Sequence, residues 1–139
     1  MRPTYAGSTP ITARRMKHEH RIDLKTAMAI NGAIGAALVD YESGMALGTM
    51  GGGRHLNLEL AAAGNTEVVR AKMRTMNSLD LGDEIEDILI TLGKQYHLIR
   101  LLRSARSTSL FLYVALDRTS ANLALARHEL KRIEADLEV

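Results

Sequence analysis

Five stretches of this chain carry side chains that could do chemistry. Gly48-Thr-Met-Gly-Gly-Gly-Arg54 precedes a helical stretch, and bare amides at a helix N-terminus bind anions. A nucleotide P-loop needs Lys followed by Ser or Thr after its last Gly. Here Arg54 is followed by His55, so a flexible hairpin-to-helix connection is the reading that fits. His18-Glu19-His20 offers two imidazoles, but zinc needs further ligands held by rigid structure, and no metal or other cofactor is expected. Asp80, Asp83, Glu84, Glu86 and Asp87 cluster around Gly82. They lack the Asp-x-Asp-x-Asp-Gly order and terminal Glu of a calcium loop and read as a solvated acidic loop. Ser107, Thr108 and Ser109 have no nearby base with an orienting acid, so no nucleophilic constellation emerges. Arg100, Arg103 and Arg106 form a basic strip that could meet an acidic partner; a solvated strand edge is the plainer account. The expectation is a binding module, not an enzyme.

Composition narrows the partners. A net charge of +2 and an aromatic fraction of 4% leave neither the basic field nor the stacking platforms of a nucleic-acid binder. Cysteine is absent, which excludes disulfides, thiolate metal sites and a cysteine nucleophile. No apolar run approaches the roughly 20 residues of a membrane span, and the N-terminus lacks the apolar stretch of a secretory signal. A cytoplasmic protein is expected.

The elements that must position these residues follow from periodicity. Residues 1–21 carry Arg2, Arg14, Arg15, Lys17 and Arg21 without an apolar period and read as a basic arm; residues 22–139 read as one domain. Ile22, Leu24, Met28 and Ile30 are spaced for a short helix that Asn31-Gly32 would end. Ile34 to Asp40 and Met45 to Met50, either side of Tyr41-Glu-Ser-Gly44, predict a hairpin. From Leu56 to Ser78, Ala61, Asn65, Val68, Val69, Met73 and Met76 recur at helical steps. Three strands follow, around Ile88 to Leu92, Tyr96 to Leu102 and Leu110 to Leu116. The last element is a helix with Leu123, Ala126, Leu130, Ile133 and Leu137 as its seam, capped by Ser120 or Thr119. Turn-linked strands are antiparallel, so the expected fold is α+β, one five-stranded antiparallel sheet between helices, in the order α-β-β-α-β-β-β-α.

This order, with the phrases Ala36-Ala-Leu-Val-Asp-Tyr-Glu-Ser-Gly-Met45, Leu60-Ala-Ala-Ala-Gly64 and Asp87-Ile-Leu-Ile-Thr-Leu92, resembles the roadblock / dynein light-chain family, with its profilin- or longin-like sandwich. The resemblance runs from about Leu24 to Leu137. It implies a homodimer in which the third strands pair across a two-fold beside the central helices. It also implies, for bacterial members, a partner that is a small Ras-like GTPase; the alternative is a nucleotide-independent adaptor of the dynein light-chain kind. Ala-, Gly- and Arg-rich usage fits a bacterial signalling protein. The residues agree with self-association: an edge strand holding Ile88, Leu89 and Ile90 is a template for pairing with another chain. With Val69, Met73 and Met76 of the central helix they form the expected dimer surface. Arg54, Arg100 and Arg103 are the candidate partner-facing residues, and Arg54 or Arg103 would be the arginine finger if hydrolysis were stimulated that way.

Overall fold

The computed structural model describes residues 23–103 and 109–136. The basic arm, Ile22, Arg106, Ser107, Thr108 and Leu137 lie outside the described residues. Helix α1 covers residues 23–28. It stops where the chain reaches Gly32 in a left-handed conformation (φ 90°), the backbone state glycine adopts without steric cost. Strands β1 (Ala33–Asp40) and β2 (Met45–Gly51) follow, then α2 (Leu58–Leu79), β3 (Asp87–Thr91), β4 (Gln95–Leu102), β5 (Leu110–Asp117) and α3 (Leu123–Ala135). The strands form one antiparallel sheet in the order β2-β1-β5-β4-β3. This is the expected α+β architecture, and it leaves β2 and β3 as the two edges.

Period-two alternation sorts the side chains onto two faces. Ala36, Leu38, Leu98, Leu112, Val114 and Leu116 pack with Leu24 and Ala27 of α1 and Ala126, Leu130 and Ile133 of α3. Ala37, Val39, Ile99, Leu101, Phe111 and Tyr113 pack on the other side with Leu58, Ala62 and Val69 of α2. β5 is buried at every position from Leu110 to Leu116, as a central strand covered on both faces must be.

The inward stripe of α2 is Leu58, Ala62, Thr66 and Val69. Val68, which the sequence alone groups with Val69, lies on the outer flank and is 37% exposed. A 3.6-residue repeat turns adjacent positions 100° apart, so a hydrophobic pair at i,i+1 cannot share one face. Asn57 caps α2 by accepting the Leu60 N–H at 3.0 Å. Asn122 does the same for α3 through the Leu125 N–H, also at 3.0 Å. The sequence expectation of Ser120 or Thr119 at this cap is corrected: Thr119 instead donates its hydroxyl to Asp117 at 2.9 Å, fixing the preceding turn.

Candidate functional site: an open sheet edge beside the central helix

The glycine connection is a packing device. Gly51 and Gly52 have φ of 77° and 87°. A Cβ on Gly51 would stand 2.7 Å from the Ile34 carbonyl oxygen, and one on Gly52 would stand 2.8 Å from that of Leu56. Only glycine lets these backbones approach so closely. Arg54 sits exposed at the end of this connection.

The basic strip comes apart in three dimensions. Arg100 is 8% exposed and held from both sides. Its guanidinium meets Glu134 of α3 at 2.7 Å and Asp87 of β3 at 3.8 Å. Arg127 makes a two-pronged contact with the same Asp87, at 2.7 and 3.1 Å. Arg103 pairs with Glu84 at 3.2 Å and donates to the Ile85 carbonyl. Asp87 therefore leaves the acidic loop and joins an ion network linking β3, β4 and α3. Sequence spacing carries no signal for this, because the partners are 13 to 40 residues apart along the chain.

At the β3 edge the pairing Ile88↔Ile99 and Ile90↔His97 puts Ile88 and Ile90 on the α2 face. Both are half-buried. Leu89, paired with Leu98, turns the other way and packs, half-buried as well, against the α1/α3 core. Beyond β3 the sheet ends, so one side of its backbone has no partner strand among the described residues. Met73 and Met76 are half-buried on α2, whereas Val69 is wholly enclosed in the protomer's own core and offers no surface.

Between the edge and α2 lies a short polar relay. Tyr113 and His97 meet edge to face with ring centroids 5.4 Å apart. The Tyr113 hydroxyl lies 3.3 Å from His97 Nδ1, and His97 Nε2 lies 2.8 Å from Gln95 Oε1. An amide oxygen only accepts, so this pairing calls for the neutral tautomer with its proton on Nε2. Burial lowers the His97 pKa. Burial likewise pushes Tyr113 up to about 12, against a smaller opposing hydrogen bond from Asn65 of α2. Neither group faces a nucleophile, and the relay reads as positioning for the β3–β4 hairpin under α2.

At one end of this face a groove of about 810 Å³ opens between the C-terminal half of α2, the loop after it and the end of β4. Met73, Met76, Leu81, Ile85 and Leu101 line it, with Tyr41 at its side. Among the described residues no group of three or more His, Cys, Asp or Glu could hold a metal ion, and no helix is long and apolar enough to cross a membrane.

No protein-family model matches the sequence, and no curated protein matches it. Solved structures match its fold. MglB from Myxococcus xanthus superposes with a TM-score of 0.69 at 18% identity, over 86% of this chain and 84% of that one. A Roadblock/LC7 domain from Streptomyces avermitilis gives 0.65 at 12% identity, over 80% and 87%. MglC from Myxococcus xanthus gives 0.53 at 19% identity, over 86% and 99%. At such identities the likeness is one of fold, and the fold is that of the roadblock proteins.

Proposed function

We propose that this chain is a homodimeric, non-catalytic interaction module that binds a small Ras-like GTPase and regulates its nucleotide state or location. The observation that carries the reading is the unpartnered β3 edge, flanked by half-buried Ile88 and Ile90 and by the outer flank of α2, in a chain with the roadblock fold. An isologous dimer would satisfy that edge by pairing β3 with its copy, antiparallel across a two-fold. Ile88, Ile90, Met73 and Met76 would contribute side chains to the interface, and Leu89 only backbone. Of the three candidate partner-facing arginines, Arg54 and Arg103 are exposed; Arg100 is committed to Asp87 and Glu134.

Sedimentation tests the dimer. The native chain should sediment at twice the protomer mass, and Ile88→Lys/Ile90→Lys should sediment as a folded monomer. A native chain that stays monomeric at high concentration sinks the interface. The partner is tested by affinity capture from native lysate, run in parallel with a GTP analogue and with GDP. A Ras-like GTPase retained in one nucleotide state supports regulation. Equal recovery of a motor, kinase or scaffold component in both states would replace it with the adaptor reading. If hydrolysis is stimulated, Arg54→Ala/Arg103→Ala should retain the full effect, because the GTPase's own switch residues would be the groups ordered; its loss would point to a finger.

A further inference from the structure

We infer that His97 makes self-association sensitive to protons: the interface closes over a neutral imidazole, and acidification opens it. This rests on the β3-edge pairing of two copies put forward under the function. The first argument is position. Helix α2 lies over β1 and β2 and reaches β5 through Asn65 on Tyr113. The sheet surface between α2 and the β3 edge is thus left to His97, Ile88 and Ile90, all half-buried. His97 pairs directly with Ile90 of the edge strand, and side chains opposed in this way stand about 5 Å apart. A second copy that covers Ile90 therefore also takes water away from the imidazole.

The second argument is the direction of the hydrogen bonds. Asn65 donates to the Tyr113 hydroxyl, which lies 3.3 Å from His97 Nδ1, and His97 Nε2 lies 2.8 Å from Gln95 Oε1. With the imidazole proton on Nε2, each group donates to the next: Asn65 to Tyr113, Tyr113 to Nδ1, Nε2 to Gln95. A second proton, on Nδ1, meets the Tyr113 O–H head to head. Tyr113 is fully buried, so its hydroxyl hydrogen finds no water on turning away, and an unmet buried donor is costly. An imidazolium satisfies its new N–H by swinging toward solvent, through the surface that the second copy would occupy.

The third argument is the charge around the ring. Gln95 on β4 and Ile88 and Ile90 on β3 are uncharged, and Asp87 lies on the opposite face of β3 with Arg100 and Arg127. From β5 comes Tyr113; Asp117, opposite Gln95 at the strand's end, is turned onto Thr119 and Ser120. From α2 come Asn65 and, about two turns further along the same flank, the cation Lys72, which is exposed like Lys94 in the β3–β4 turn. Nothing in this set among the described residues pairs with an imidazolium. Burial already lowers the His97 pKa in the protomer, and deeper burial in the dimer lowers it further. The separated protomers therefore take up the proton first, so association is full above the ordinary imidazole value of about 6.5 and weakens as pH falls below it.

The test is sedimentation of the full chain at about pH 7.5 and about pH 5, with circular dichroism confirming the fold at both. Each dimer holds two copies of His97, so its dissociation constant should rise at least about fivefold in acid. His97→Gln, whose amide can both donate and accept without titrating, should hold the constant steady. His55→Gln/His128→Gln should keep the native response. By NMR the His97 ring protons should titrate at lower pH in the native dimer than in Ile88→Ser/Ile90→Ser, a monomer with no added charge. That comparison is made within the folded range and stands even where acid unfolds the native chain. A chain that is monomeric at both pH values sinks the dimer and this inference with it. A dimer with an unchanged constant, one that tightens in acid, or a rise that persists in His97→Gln overturns this inference alone.

Discussion

The two faces of the sheet are finished to different degrees. On the α1/α3 face the core is closed by Leu98, Leu112, Val114, Leu130 and Ile133. At the edge strand it is sealed by the network of Asp87, Arg100, Arg127 and Glu134. On the α2 face the helix covers β1 and β2 and reaches β5, but over β3 it leaves Ile88 and Ile90 half-buried. Its outer flank keeps Val68 exposed, and a groove opens under its last turns. A protomer needs only one contiguous core to fold. Apolar surface left over beside an unpaired strand edge is what a partner would cover. The closed face thus carries stability, while the open face keeps apolar surface uncovered beside the sheet edge.

The largest expected effects test that division. Arg100→Ala should cost about 3 kcal/mol in urea unfolding, because it strands the mostly buried Glu134 without its cation and leaves Asp87 to Arg127 alone. Met76→Ala, on the open side, should cost about 1 kcal/mol or less while weakening dimerisation. Equal losses would mean that the α2 flank is core and would erase the contrast. Next come the caps. Asn57→Ala and Asn122→Ala should each cost about 1 kcal/mol, one on each face, and a cap that costs nothing would show its helix held by packing alone.

Between the caps and the exposed ion pairs comes His97. Its pKa is lowered by burial, so the unfolded chain takes up the proton first as pH falls. Stability is therefore full above the ordinary imidazole value of about 6.5 and declines below it. His97→Gln should flatten that decline in unfolding experiments run across the range. A decline of the same slope in the variant would assign it to other groups. The smallest effect is Arg132→Ala, which breaks an exposed pair with Glu129 at 3.2 Å. It should change the unfolding midpoint by no more than about 0.5 kcal/mol.

The elements were legible because each writes its period into the sequence. Leu110 to Leu116 is apolar throughout, and only a strand covered on both faces uses such a run economically. The glycines of the 51–53 connection announced a break, though not the close backbone approach that demands them. Spacing alone groups Leu89 with Ile88 and Ile90, yet alternation sends it to the opposite face, where it packs half-buried against the α1/α3 core. Arg100 looked like one of three surface cations because its partners, Asp87 and Glu134, are brought to it by strand pairing and helix packing.

The sequence by itself determined the α+β class and the order of the elements, since these rest on local spacing and turn residues. Only the tertiary structure decided which two strands form the sheet edges, which arginine is buried in an ion network and where a groove opens. Those are properties of residues distant in the chain, and nothing in local spacing encodes which of them will meet.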